Sequence, residues 1–282
     1  MTMKSINCRG RLIELESPKV MGILNLTPDS FYDGGKYQEQ TDVLKRVEAM
    51  LSEGADFIDV GAYSSRPGAK HVSLDEERSR LMPALAAITK EFEEALVSVD
   101  TFRSEIARES VEHGACMIND ISAGSLDPRM FETIGELQVP YIVMHMRGTP
   151  QTMQQNTRYD NLVKEVITYF SEKVFALRKF GVNDIIIDPG YGFSKTLEQN
   201  YEMLGRSELF KLLELPVLTG LSRKSLLYKV LKTGPEEVLA ATTAAQSIAL
   251  LKGTNILRVH DVKEAVQTVR IVEKIKPWSY NA

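Results

Sequence analysis

The chain has 282 residues, 43% of them hydrophobic and 26% charged, with a formal net charge of −4. So many apolar residues can fill a sizeable core, and the acidic balance argues against a general nucleic-acid binder, though not against a locally basic anion pocket. The two cysteines, Cys8 and Cys116, stand in no metal-ligand spacing and are too few for a disulfide scaffold, so a reducing cytoplasm is expected. The sequence has no basic-then-apolar leader, no apolar run near the ~20 residues of a bilayer span and no Ser/Gly-rich linker. One domain over residues 1–282, without a membrane partner, is therefore expected.

In chain order, residues 3–15 read as a small hairpin turning near Arg9-Gly10. Eight short apolar runs follow: KVMGILNL (19–26), ADFIDVG (55–61), ALVSVDT (95–101), ACMINDIS (115–122), YIVMHM (141–146), DIIIDPG (184–190), PVLTGLS (216–222) and NILRVHD (255–261). They are nearly continuous, as parallel strands covered on both faces should be. Amphipathic segments lie between them. Residues 73–92 open with Ser73 and Glu76 at capping-box spacing, and Asp127-Pro128 reads as an N-cap followed by proline at the first helical position. Residues 160–180 have helical periodicity and stop at Gly181. Strands alternating with helices in this number predict a (β/α)8 TIM barrel with the short N-terminal β-hairpin against its floor. The alternative is an open doubly wound sheet, which usually has fewer strands.

Each run ends in a polar residue that packing does not require: Asn25, Asp59, Asp100, Asn119 with Asp120, His145, Asp188, Ser222 with Arg223 and Lys224, and Arg258 with His260. One such residue is an ordinary strand-to-loop boundary. A full set, converging on the rim where barrel active sites sit, reads as a site. Asp100, Asn119 and Asp188 suit a ligand with several N–H donors and a ring carbonyl. Arg66, Arg258 and His260 offer positive charge, and the loops after the seventh and eighth strands are a frequent phosphate site in this fold. The expected ligand has a polar heterocycle at one end and a phosphate at the other. Lys224 reads as a donor to a ring carbonyl; a Schiff-base lysine would need its pKa lowered by burial or a neighbouring cation such as Arg223. His145 has no spaced metal-ligating partner and reads as a packed histidine, with Met144 as an apolar wall. His71 and His113 read as surface residues.

The segments MGILNLTPDSFYDGG, IDVGAYSSRPGA, VSVDT, IND, MHMRGTP, IDPGYGF, GLSRKS and RVHDV resemble dihydropteroate synthase over about residues 18–275. The resemblance implies a cytoplasmic, homodimeric barrel that joins 6-hydroxymethyl-7,8-dihydropterin pyrophosphate to p-aminobenzoate, releasing pyrophosphate, in folate synthesis. Sulfonamides compete with p-aminobenzoate in that family. Carried over, it implies pterin binding by Asp100, Asn119, Asp188 and Lys224, with Met144 and Phe193 against the ring. Arg66, Arg258 and His260 match pyrophosphate contacts, and Asn25 matches a ligand of the accompanying Mg²⁺. Phe31, Asp33, Ser65, Pro67 and Ser225 match the p-aminobenzoate side, and Asp33 and Lys224 join Asp100 in the catalytic set.

One departure is visible. Where many relatives read Gly-Gly-Glu-Ser-Thr-Arg-Pro-Gly, this chain reads Gly61-Ala62-Tyr63-Ser64-Ser65-Arg66-Pro67-Gly68, placing an aromatic where an acid stood. Two other readings share the barrel. A methyltetrahydrofolate:corrinoid methyltransferase would need neither the long loops 27–37 and 62–72 nor the phosphate residues, and it would require a corrinoid partner. A non-catalytic pterin-binding paralogue should show a broken rim, and only positions 62–65 change here.

Overall fold

Period-two alternation decides how each apolar run is used. The computed structural model describes residues 4–26, 36–63 and 72–275. The hairpin is β1 (Ser5–Cys8) paired antiparallel with β2 (Arg11–Glu14). Its turn residues Arg9 and Gly10 both have positive φ, 54° and 79°, the geometry that matches the twist of a two-residue hairpin. Then come β3 (Lys19–Asn25), β4 (Phe57–Gly61), β5 (Val97–Asp100), β6 (Met117–Asp120), β7 (Tyr141–Met144), β8 (Ile185–Asp188), β9 (Leu218–Thr219) and β10 (Ile256–Val259). These eight strands form one parallel sheet in the order β8-β7-β6-β5-β4-β3-β10-β9, and a parallel bridge between Ile187 and Val217 joins its two edges. The architecture is the expected (β/α)8 barrel. The seventh barrel strand, β9, is only two residues long, shorter than the apolar run predicted at 216–222.

Inward positions near the strand starts are apolar. Met21, Phe57, Met117, Ile142, Ile186, Leu218 and Ile256 form a buried cluster with Ile6, Cys8 and Leu15 from the hairpin segment. Burying each of the larger side chains contributes about 1.5–3 kcal/mol, so the hairpin closes the floor by hydrophobic contact. Asn7 N–H also donates to the Asp184 carboxylate at 2.9 Å, and the Asn255 amide donates to the Leu15 carbonyl at 2.8 Å. The alternate residues, among them Val20, Ile58, Val60, Val97, Val99, Ile118, Val143, Ile187 and Leu257, pack outward against the helices.

The helices are α1 (Lys36–Ser52), α2 (Leu74–Glu91), α3 (Ser104–Glu112), α4 (Met130–Leu137), α5 (Leu162–Lys179), α6 (Leu197–Gly205), α7 (Ser225–Leu231), α8 (Leu239–Leu251) and α9 (Val262–Ile275). Helix α5 ends as predicted before Gly181, whose φ of +75° suits glycine.

Two caps differ from the sequence reading. Ser73 accepts the Glu76 N–H at 3.2 Å, but Glu76 pairs with Arg80 rather than reaching back, so the capping box is half made. Asp127 serves two starts: α4 begins three residues later, at Met130, and one carboxylate oxygen accepts the Arg129 N–H at 3.0 Å in the turn that leads into it. The other accepts the Ser104 N–H at 2.7 Å, and thereby satisfies the start of α3, whose own N-cap position is Arg103 and has no side-chain cap bond. A carboxylate among unsatisfied N–H groups is stabilising whichever segment carries it.

Candidate active site

Two residues above the apolar floor, the inward positions turn polar: Asp59 on β4, Ser98 on β5, Asn119 on β6, Asp188 on β8 and Arg258 on β10, with Asp100 one step higher. Neighbouring register places them around one cavity mouth, since Asp59 lies opposite Ser98 and Asp100 opposite Asn119. Parity separates Asn119 from Asp120. Asp120 faces outward and accepts from Ser122 N–H and Oγ–H, Gly124 N–H and the Tyr141 hydroxyl, all at 2.6–2.7 Å, so it braces the loop after β6 and does not face the mouth.

Arg258 is the hub. Its Nε donates to Asp59 Oδ2 at 2.6 Å and an Nη donates to Asp100 Oδ2 at 2.8 Å. Asn119 Nδ2 donates to the same Asp59 Oδ2 at 3.1 Å, while Asp59 Oδ1 is buried with no hydrogen-bond partner among the described residues. One guanidinium thus serves two carboxylates, and burial pushes the Asp100 carboxyl up to about 7 against the pull of Arg258. Asp188 is likewise pushed up by burial, opposed by Lys224, and its Oδ1 accepts the Gly190 N–H at 2.8 Å. Lys224 donates to the Tyr191 carbonyl at 2.5 Å, with its Nζ 4.9 Å from the centre of the Phe193 ring. Desolvation lowers the Lys224 ammonium to about 8.

Ile121, Met144, Met146 and Met153 form an apolar cluster with Phe102 and Phe193 beside it, and Met144 stands next to Asp188 in register. Charged acceptors beside an apolar wall suit a planar, N–H-rich heterocycle. His260 Nδ1 lies 3.1 Å from the Ser222 hydroxyl, and Ser225 begins the seven-residue α7. Asn25 stands half-buried at the end of β3.

The sequence profile of the family described as pterin binding enzyme matches residues 21–260. The dihydropteroate synthase of Escherichia coli K12 is 44% identical over 267 residues, covering 94% of either chain. The structure also superposes on the Yersinia pestis dihydropteroate synthase in a sulfonamide drug complex, with a TM-score of 0.91, 38% identity, and 97% of this chain and 99% of that one covered. The Xanthomonas albilineans dihydropteroate synthase with 4-aminobenzoic acid gives a TM-score of 0.90 at 36% identity, covering 98% and 99%. This chain belongs to the dihydropteroate synthase family.

The family motifs quoted from the sequence fall on this rim: Asp100, Asn119, Asp188, Lys224, Met144, Phe193, Arg258 and His260 sit on neighbouring strand ends or the loops that follow them. Phe31, Asp33, Ser65, Arg66, Pro67 and His71 lie outside the described residues. His113 is exposed, as read. His145 is a packed residue, 1% exposed, with its ring 4.9 Å edge-on to Tyr169.

The aromatic departure at Tyr63 has a structural setting. Its ring meets Phe102 edge-on at 5.0 Å, its hydroxyl accepts from Gln151 at 3.2 Å, and the Arg103 guanidinium lies 5.7 Å from it. Arg103 also donates to the Val72 carbonyl at 2.6 Å and pairs with buried Glu77, which accepts the Thr101 hydroxyl at 2.7 Å. The segment leading into α2 is therefore tied to the end of β5.

Asp59 is read from the sequence as one of the rim residues, but its role at the hub shows only when β-alternation is combined with register. Lys195 follows the motif IDPGYGF and carries no periodic signal at all, yet it is 3% exposed behind the Phe193 wall.

Proposed function

We propose that the chain condenses 6-hydroxymethyl-7,8-dihydropterin pyrophosphate with p-aminobenzoate, releasing pyrophosphate and forming dihydropteroate. The observation that carries this reading is the layered mouth: Asp100, Asn119 and Asp188 beside Lys224, facing the Met144–Phe193 wall, with Arg258 at the centre. Asp188 and Asn119 take the N–H edge of the pterin, Lys224 donates to its carbonyl, and Met144 and Phe193 cover its faces. Arg258 and His260 meet the pyrophosphate, and Arg66, of the segment after β4, is assigned to the same group.

Cleavage of the C–O bond sends its electron pair to the departing pyrophosphate and leaves a cation delocalised into the ring. The Asp100 carboxylate stabilises that charge electrostatically. The amine of p-aminobenzoate then attacks the methylene carbon and loses a proton. Its carboxylate lies toward Ser225, and Phe31, Asp33, Ser65 and Pro67 complete that side, with Asp33 and Lys224 joining Asp100 in the catalytic set.

Asn25 fits a Mg²⁺ that binds mainly through phosphate and water oxygens. Its side-chain amide has no hydrogen bond among the described residues, and an amide oxygen is a hard donor. When bound, the ion offsets the charge of the leaving pyrophosphate. A cytoplasmic homodimer sensitive to sulfonamides completes the reading. Exposed Ile248, Leu251 and Ile271 on α8 and α9 offer an apolar face for the second copy.

The test is pyrophosphate release that depends on p-aminobenzoate. Turnover that does not rise with p-aminobenzoate, or none in its presence, defeats the reading. No observation favours the corrinoid methyltransferase or the non-catalytic reading, and Lys224, hydrogen-bonded to a carbonyl, is given no Schiff-base role. Failure of borohydride to trap substrate on it is expected.

A further inference from the structure

Lys195 is a buried lysine with no carboxylate partner among the described residues. Its Nζ lies 3.0 Å from the Gly190 carbonyl, 3.0 Å from the Phe193 carbonyl and 3.0 Å from His145 Nδ1. An ammonium has three N–H donors, and here each meets an acceptor when Nδ1 of a neutral imidazole carries no proton. Burial and the neighbouring Lys195 hold His145 well below its ordinary pKa, which keeps the ring neutral. The three partners come from two strand ends: His145 from β7, the two carbonyls from the loop after β8.

That loop carries the heterocycle-facing groups. Gly190 N–H fixes the Asp188 carboxylate at 2.8 Å, and Phe193 supplies the wall. The backbone there is unusual. Gly190 has φ +69°, and a Cβ on it would fall 2.2 Å from the His145 carbonyl oxygen. Ser194, also at positive φ, bridges both the N–H and the carbonyl of Arg147 at 2.8 and 2.9 Å. A loop held in such conformations persists only where its surroundings over-determine it. Lys195 supplies the central constraint, since among the described residues it alone holds two of the loop's carbonyls and the neighbouring strand end at once. Burial lowers the Lys195 ammonium to about 7; in its protonated form it adds, after Lys224 and Arg258, to the pull that favours the ionised Asp188 carboxylate.

We propose that Lys195 is a positioning residue for pterin recognition: by cross-linking His145 to the Gly190 and Phe193 carbonyls, it holds Asp188 and Phe193 in the geometry that grips the heterocycle. It is not among the residues assigned to contact either substrate, and the groups it holds are those assigned to the pterin. This rests on the function proposed above.

The experiment compares wild type with Lys195→Met, which keeps the length and removes the donors. The readouts are both KM values, kcat, and the calorimetric Kd for 6-hydroxymethylpterin. The expected result is a rise of at least tenfold in the pterin KM and Kd, with the p-aminobenzoate KM within twofold and kcat within threefold. Equal losses for both substrates, or an unchanged pterin Kd, overturn the inference. Lys195→Gln retains two N–H donors and is expected to fall between the two in pterin Kd. It carries the test if the methionine variant does not fold, and a wild-type Kd or equal losses in it overturn the inference in the same way. Absence of p-aminobenzoate-dependent turnover in wild type counts instead against the assigned reaction, while the pterin Kd still reports on Lys195.

Discussion

At the residue scale, the decisive arrangement is one arginine between two carboxylates. Asp100 is raised to about 7 by burial, and only its ionised form can stabilise a ring cation. The sign follows: as pH falls through about 7 the carboxylate takes up a proton and kcat drops. Asp100→Asn is expected to lower kcat by roughly 10²–10³-fold and to flatten that acidic limb while the pterin still binds. A pH–rate profile of both proteins, with calorimetry on the variant, checks it, and an unchanged kcat removes Asp100 from the reaction. Arg258→Ala leaves Asp59 and Asp100 without their cation, so a loss of about 3–5 kcal/mol of stability is expected in urea unfolding. On the folded fraction, the pyrophosphate ester should lose far more affinity than free pterin, and equal losses would exclude Arg258 from the phosphate site. The residue types of this hub were legible in the sequence. Their mutual pairing was not, because Asp59, Asp100 and Arg258 are far apart in the chain and meet only across the closed barrel.

At the scale of elements, local signals worked where the partner was local. Gly181 stops α5, and Arg9-Gly10 turn the hairpin, because a helix stop or a two-residue turn is decided within a few residues. Asp127 was only half legible for the complementary reason: besides the local Arg129 N–H it satisfies that of Ser104, twenty-three residues away. Asp127→Ala should therefore lower stability by about 1 kcal/mol in chemical unfolding, through α3 and the turn into α4, and leave both KM values unchanged. The loop after β8 is the more sensitive element. Gly190→Ala meets both an unfavourable φ and the His145 carbonyl, so it should destabilise by more than about 1 kcal/mol and weaken pterin binding. A variant as stable and as tight-binding as wild type would show that this backbone is not constrained.

At the scale of the whole molecule, the hairpin floor, the barrel and the exposed faces of α8 and α9 set what the chain can assemble into. Ile271 is 64% exposed on α9, an apolar residue whose burial against a second copy would be favourable. Sedimentation velocity is expected to show a dimer that Ile271→Asp converts to monomer, with turnover per chain retained; a monomeric wild type would refute the dimer. The barrel itself was readable before any coordinates. Eight continuous apolar runs separated by amphipathic segments leave few ways to cover both faces of a parallel sheet. The sequence alone also determined that a polar ring crowns the strands, since each run ends in a residue the core would not accept. Tertiary structure decided the rest. Parity assigned Asn119 to the mouth and Asp120 to bracing a loop, register gave Arg258 its two acids, and burial turned Lys195 into a clamp. Those distinctions depend on which side of a strand faces inward and on which distant residue arrives opposite, and closure of the barrel is the physical event that sets both.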